Sequence, residues 1–142
     1  MTPLEASRLD EYVRKPGVAV LDWRHPAIPV SLVFDQVLER ASREHGDVRF
    51  GSVDLSKDRA LAREWEVRDA PTVMGFRDGI LVFSHPGPLP DAAVDGLIEA
   101  IWSLDMDELR KGLDGQGSRI VIAFRGEGEP SFEIAGGDAP PA

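Results

Sequence analysis

Pro71 constrains this chain more than any other residue. A helical pattern runs up to Trp65-Glu66-Val67, and an extended apolar run, Thr72-Val73-Met74-Gly75-Phe76, starts directly after Ala70-Pro71. Proline has no N–H to give to a sheet ladder, so here it marks the mouth of a strand and not its middle. Asp78-Gly79 then predicts a tight hairpin into a second strand, Ile80-Leu81-Val82-Phe83. A helix opens at Gly87-Pro88-Leu89-Pro90-Asp91. Its Val94, Leu97, Ile98, Ile101 and Trp102 follow the spacing of a buried stripe.

Upstream, Thr2-Pro3-Leu4-Glu5 reads as a capping box at the head of a helix reaching about Arg14, with Leu9, Tyr12 and Val13 as its apolar face. Pro16-Gly17 stops it. Val18-Ala19-Val20-Leu21-Asp22-Trp23 is a near-continuous apolar run of strand length, the pattern of a central strand covered on both faces. From Val30 the period turns helical, with Val33, Phe34, Val37, Leu38 and Ala41 on one face and a stop at Gly46. Val48 to Val53 reads as the next strand. A short helix from about Asp58 to Glu66 presents Leu61 and Trp65 to the core. Strand, helix, strand, helix, two strands and a helix give an α/β fold, a mixed central sheet flanked by helices.

After this unit the composition changes. A helix over Asp107 to Leu113 closes a domain of residues 1–113, and 114–142 forms a C-terminal extension. In the extension, Ile120-Val121-Ile122-Ala123-Phe124 can pair with Ser131-Phe132-Glu133-Ile134 as a hairpin, covering the domain or a second subunit; a disordered tail is expected from Gly136.

The 142 residues contain no cysteine, which excludes disulfides, thiolate metal sites and any dithiol redox reaction. The 16 basic against 25 acidic residues leave a net charge of -9, which disfavours a nucleic-acid partner and favours a basic one. No stretch is long and apolar enough to span a bilayer, and a cytoplasmic location is the expectation. His25, His45 and His85 lack helical ligand spacing, so a metal site would need His25 and His85 to meet in space; solvated or hydrogen-bonded histidine is the plainer reading. Asp105, Asp107 and Glu108 read as helix caps, and Trp65 and Trp102 as core. No catalytic serine motif, phosphate loop or dinucleotide fingerprint is present. No cofactor and no enzymatic activity are expected.

The Ala70-Pro71-Thr72 junction, the hairpin and the closing helix resemble the C-terminal half of a thioredoxin fold, and the likeness extends over residues 5 to 104. In that family the proline at this point is cis. Trp23 matches the family's tryptophan at the end of the first central strand, and the family's Cys-Gly-Pro-Cys falls on Ala27-Ile28-Pro29-Val30, where only the proline survives. The family's buried proton-accepting carboxylate falls on Leu21; Asp22, next to it, points to the opposite face. What the resemblance implies is a peptide groove without redox chemistry. Its walls would be Trp23, Pro26, Ala27, Ile28, Pro29 and Val30 on one side and Asp69, Ala70 and Pro71 on the other, with strand addition ahead of the proline.

The acid-rich short chain, the missing cysteine pair, the Ala-Pro-Thr junction and the extension also resemble the hydrogenase expression/formation accessory family of the HyaE/HupG type. That resemblance implies a chaperone for the precursor of a [NiFe] hydrogenase small subunit and its twin-arginine signal peptide, with Asp22 and Asp69 as candidate arginine contacts. Two other readings stand beside it: an adaptor or scaffold acting through its C-terminal strands, with a homodimer as one form, and an enzyme built on a His25/His85 metal site.

Overall fold

The structure, a computed structural model, describes residues 1–112 with their side chains and the backbone of Leu113, Arg119–Arg125 and Glu129–Ala135. The elements run β1 (Thr2–Pro3), α1 (Ala6–Arg14), β2 (Val18–Arg24), α2 (Pro29–Glu44), β3 (Val48–Asp54), α3 (Arg59–Glu64), β4 (Thr72–Arg77), β5 (Ile80–Pro86), α4 (Asp91–Trp102), α5 (Met106–Leu113), β6 (Arg119–Arg125) and β7 (Glu129–Ala135). Five strands form one sheet in the order β1-β3-β2-β4-β5. β2 lies at its centre, parallel to β3 and antiparallel to β4.

Period two divides the β2 side chains between two cores. Val18 and Val20 pack with Phe34 and Leu38 of α2 and with Val94, Leu97, Ile98 and Ile101 of α4. Ala19, Leu21 and Trp23 pack with Leu9 and Val13 of α1, Leu61 of α3, and Met74 and Phe76 of β4. Burial on both faces explains why the strand reads as an unbroken apolar run.

The hairpin turns where expected. Asp78 and Gly79 both have positive φ, 51° and 84°, as a two-residue primed turn requires. Asp78 also ties the turn to Gly17: the Gly17 amide donates to Asp78 Oδ1 at 2.7 Å, and the Asp78 amide donates to the Gly17 carbonyl at 2.8 Å.

Four local readings are corrected. Thr2–Pro3 is a strand paired in parallel with β3, and the first helix begins at Ala6, with Glu5 at the cap position making no side-chain cap bond. The cap lost because Leu4 is buried and its amide donates to the Ser52 carbonyl at 2.8 Å, so the segment gains a sheet edge instead. Trp102 is 38% exposed. Eight residues beyond Val94 it lies about 80° off the stripe axis at 100° per residue. There the Arg77 guanidinium covers it, 5.0 Å from the ring centroid, and donates to the carbonyls of Ile101 and Trp102. Val33 is 65% exposed for the same reason, about 100° from Phe34. α3 stops at Glu64, and Trp65, half-buried at its C-cap, packs its ring against Trp23 and Phe76.

At the start of α5, Asp105 Oδ1 accepts from the amides of Asp107 and Glu108, the capping role expected of that acidic stretch. β6 and β7 pair antiparallel within the chain, from Arg119 opposite Ala135 to Arg125 opposite Glu129. The expected linker at 114–118, the hairpin connection at 126–128 and the tail from 136 lie outside the described residues.

Gly51 is where β1, α1 and β2 converge on β3. A Cβ there would stand 2.6 Å from Leu4 Cδ1, 3.0 Å from Tyr12 and 3.2 Å from Leu21 Cδ2. Gly51→Ala is therefore expected to cost about 1–3 kcal/mol through overpacking, read as a lower urea midpoint at unchanged slope. A variant as stable as the parent would show that β1 and α1 are free to move off the sheet.

Candidate functional site

The antiparallel register sets Trp23 of β2 opposite Thr72 of β4. The loop leaving β2 and the Ala70-Pro71 pair entering β4 are thereby neighbours at one end of the sheet. The Ala70–Pro71 bond is cis. The Pro71 carbonyl accepts from the Gly87 amide at 2.7 Å, and the Thr72 hydroxyl donates to the Asp69 carbonyl at 2.6 Å. Ala70 is half-buried, and among the described residues its amide and carbonyl have no hydrogen-bond partner. An unpaired donor and acceptor on one residue beside a sheet is the element from which strand addition is built.

Facing it, the loop is folded on itself by polar contacts. The His25 amide donates to Ser31 Oγ at 3.0 Å, and the Ala27 amide donates to His25 Nδ1 at 3.1 Å. These bonds hold Pro26, Ala27 and Pro29 outward, with Ile28 half-buried. Pro29 opens α2 at a position where its missing N–H costs nothing. Val30, Leu32 and Val33 are exposed at 44%, 42% and 65%, so the first turn of α2 extends the apolar surface of the loop. The sequence reading took in Val30 but left out Leu32 and assigned Val33 to the core. The signal that could have found them is the stripe of Phe34, Leu38 and Ala41, from which both fall away.

Two residues assigned to this groove do not line it. Trp23 is fully buried; it lies beneath the surface, its ring 5.8 Å from that of Trp65 and its Nε1 donating to Met74 Sδ at 3.2 Å. Asp22 is also fully buried and cannot reach an arginine of a bound segment. Asp69 is exposed at the rim.

Asp22 has a different environment from the one its position suggested. Its two carboxyl oxygens and Asp35 Oδ1 are buried with no donor from the protein. Asp35, on α2, accepts from Arg24 Nε at 2.8 Å through Oδ2, and Arg24 Nη1 stands 3.7 Å from Asp54 Oδ2. Burial, and then the neighbouring Asp35 carboxylate, push the Asp22 carboxyl up to about 9. A carboxyl pushed up so far keeps its proton at neutral pH, with Asp35 as the neighbouring acceptor.

A cleft of about 1290 Å³ opens onto this cluster at Arg24, Asp35 and Asp54 and is lined further out by Arg8, Lys15, Lys57, Glu5, Glu11 and Asp58. Its charges are of mixed sign and converge on no nucleophile. Among the described residues, His25 and His85, the pair that a metal site would have needed, belong to no group of three potential ligands. His25 is engaged by the Ala27 amide, and His85 stacks on Phe83 with ring centroids 6.1 Å apart.

No protein-family model matches the chain. It is 39% identical over 83 residues to putative thioredoxin 2 of Streptomyces coelicolor, a match covering 58% of this chain and 62% of the length of that relative. Fasciola hepatica thioredoxin superposes with a TM-score of 0.65 at 21% identity, over 70% of this chain and 98% of the other. Chlamydomonas reinhardtii thioredoxin f2 gives 0.61 at 23% identity, over 71% and 93%. With its five-stranded sheet and flanking helices, the chain has a thioredoxin-like fold, and it has that fold without a cysteine.

Proposed function

We propose that this protein is a non-catalytic peptide-binding member of the thioredoxin-like fold, which captures an extended segment of a client at Ala70-Pro71. The observation that carries the reading is the unpaired Ala70 amide and carbonyl, at the same end of the sheet as the exposed Ala27 and Val30 of the loop and first turn of α2. Main-chain pairing at Ala70 would supply affinity, and the apolar surface would select the side chains. Asp69 at the rim and a net charge of -9 favour a basic client. The finer reading is a chaperone of [NiFe] hydrogenase maturation, acting in the cytoplasm on the small-subunit precursor and its twin-arginine signal. It is supported by the sequence resemblance and by this charge balance.

The test is a titration against such a precursor with and without its signal peptide. Binding that needs the signal and weakens with salt is the expected result. Val33→Lys, on an exposed position where stability should change by no more than about 0.5 kcal/mol, is expected to weaken that binding about tenfold. No binding to either form would remove the hydrogenase client. Binding that survives Val33→Lys but is lost on deleting residues 115–142 would favour the adaptor reading, in which the C-terminal strands make the contact.

A further inference from the structure

Away from the groove, the C-terminal end of α2 meets α4. His45 is the C-cap of α2, its amide bonded to the Ala41 carbonyl at 2.9 Å and its own carbonyl accepting from Val48 at 3.1 Å, so its backbone is fixed. Its Nε2 stands 2.9 Å from Asp95 Oδ1 on α4. Glu44 brings a second carboxylate, and one ligand atom from each of Glu44, His45 and Asp95 lies within 4.8 Å of the other two. Among the described residues no other group of three potential ligands is this close.

The charge balance of this corner is incomplete. One step along the same seam Arg40 pairs with Asp91, whereas Glu44 has no cationic partner among the described residues and Asp95 has only His45. Two carboxylates therefore approach each other across a single imidazole. They do so at a helix C-terminus, where the backbone carbonyls add further negative potential.

We propose that Glu44, His45 and Asp95 form a binding site for a divalent transition-metal ion of the zinc type, joining the C-terminus of α2 to α4. One imidazole nitrogen and two carboxylate oxygens are a donor set that zinc accepts, with water completing a tetrahedron. Ligand atoms about 2.0–2.2 Å from zinc stand about 3.4 Å apart in that geometry. The three side chains reach it by small rotations, with the His45 to Asp95 contact opening to admit the ion. Magnesium, which prefers an all-oxygen octahedron, fits poorly.

The test uses the full chain, free of any affinity tag and stripped by a chelator. Isothermal titration with zinc chloride is expected to give one ion per chain, and Glu44→Gln, His45→Gln and Asp95→Asn are each expected to weaken it about tenfold or more. In the unmutated protein, zinc is expected to shift the imidazole NMR signals of His45 and leave those of His25 and His85 in place. Magnesium chloride should do neither. The absence of saturable zinc binding would overturn the proposal, as would zinc binding with an unmoved His45 signal or binding that survives His45→Gln and Asp95→Asn.

Discussion

Replacing Asp22 by asparagine raises the stability of the protein at pH 8 and flattens its dependence on pH. The Asp22 carboxyl has an ordinary value of 3.8 and is pushed up to about 9 in the fold, first by burial and then by Asp35. Between those values the native state holds a proton that the unfolded chain has released. Its contribution is therefore fully present below the unfolded value and is lost as pH rises toward the folded one, by up to about 1.4 kcal/mol per pH unit. An asparagine of nearly the same shape does not titrate, and its amide can donate to Asp35 Oδ1 at any pH. The expected gain at pH 8 is on the order of 2–4 kcal/mol, measured by urea unfolding of both proteins between pH 5 and 9. Parallel curves for the two proteins would mean that Asp22 makes no such contribution.

Trp23→Ala produces a large effect of the opposite sign. The side chain is fully buried and lies against Trp65, with its Nε1–H directed at Met74. Truncation leaves a cavity where β2, α3 and β4 meet, and such changes cost about 3–5 kcal/mol. That is a large share of the 5–15 kcal/mol typical of one domain. Trp23→Phe, which keeps a ring in the cavity and gives up the contact to sulfur, should recover more than half of the loss. A cost below about 1 kcal/mol for the alanine variant would show that α3 collapses into the space.

Much of the fold was legible because its signals are local. The apolar run of β2, the Asp78-Gly79 turn and the stripe of α4 each name an element without reference to the rest of the chain. The failures are places where a partner distant in sequence decided the outcome. Thr2–Pro3 carries a good capping pattern, but β3 offered it a ladder. Trp102 and Val33 sit at the margins of apolar stripes, where the angle around the helix and an available Arg77 settle exposure.

The site divides along the same line. Ala27, Pro29, Ala70 and Pro71 could be named as candidates from the order of residues, since the junction and the loop are local patterns. The pairing of Asp22 with Asp35, and the meeting of Glu44 and His45 with Asp95, join separate elements and leave no periodic trace in the sequence. Alternation did place Asp22 on the face opposite Leu21 and Trp23, but that it would be sealed beneath α2 depended on packing.

The arrangement at Ala70 sets a limit on assembly. Ala70 offers one amide and one carbonyl; the next residue has no N–H, and its carbonyl is already held by Gly87. On the proposed reading, a guest strand docked there would end its pairing at the proline. A surface of this kind has a valence of one. On the proposed reading it would hold one extended chain and offer that chain no ladder to continue past Pro71.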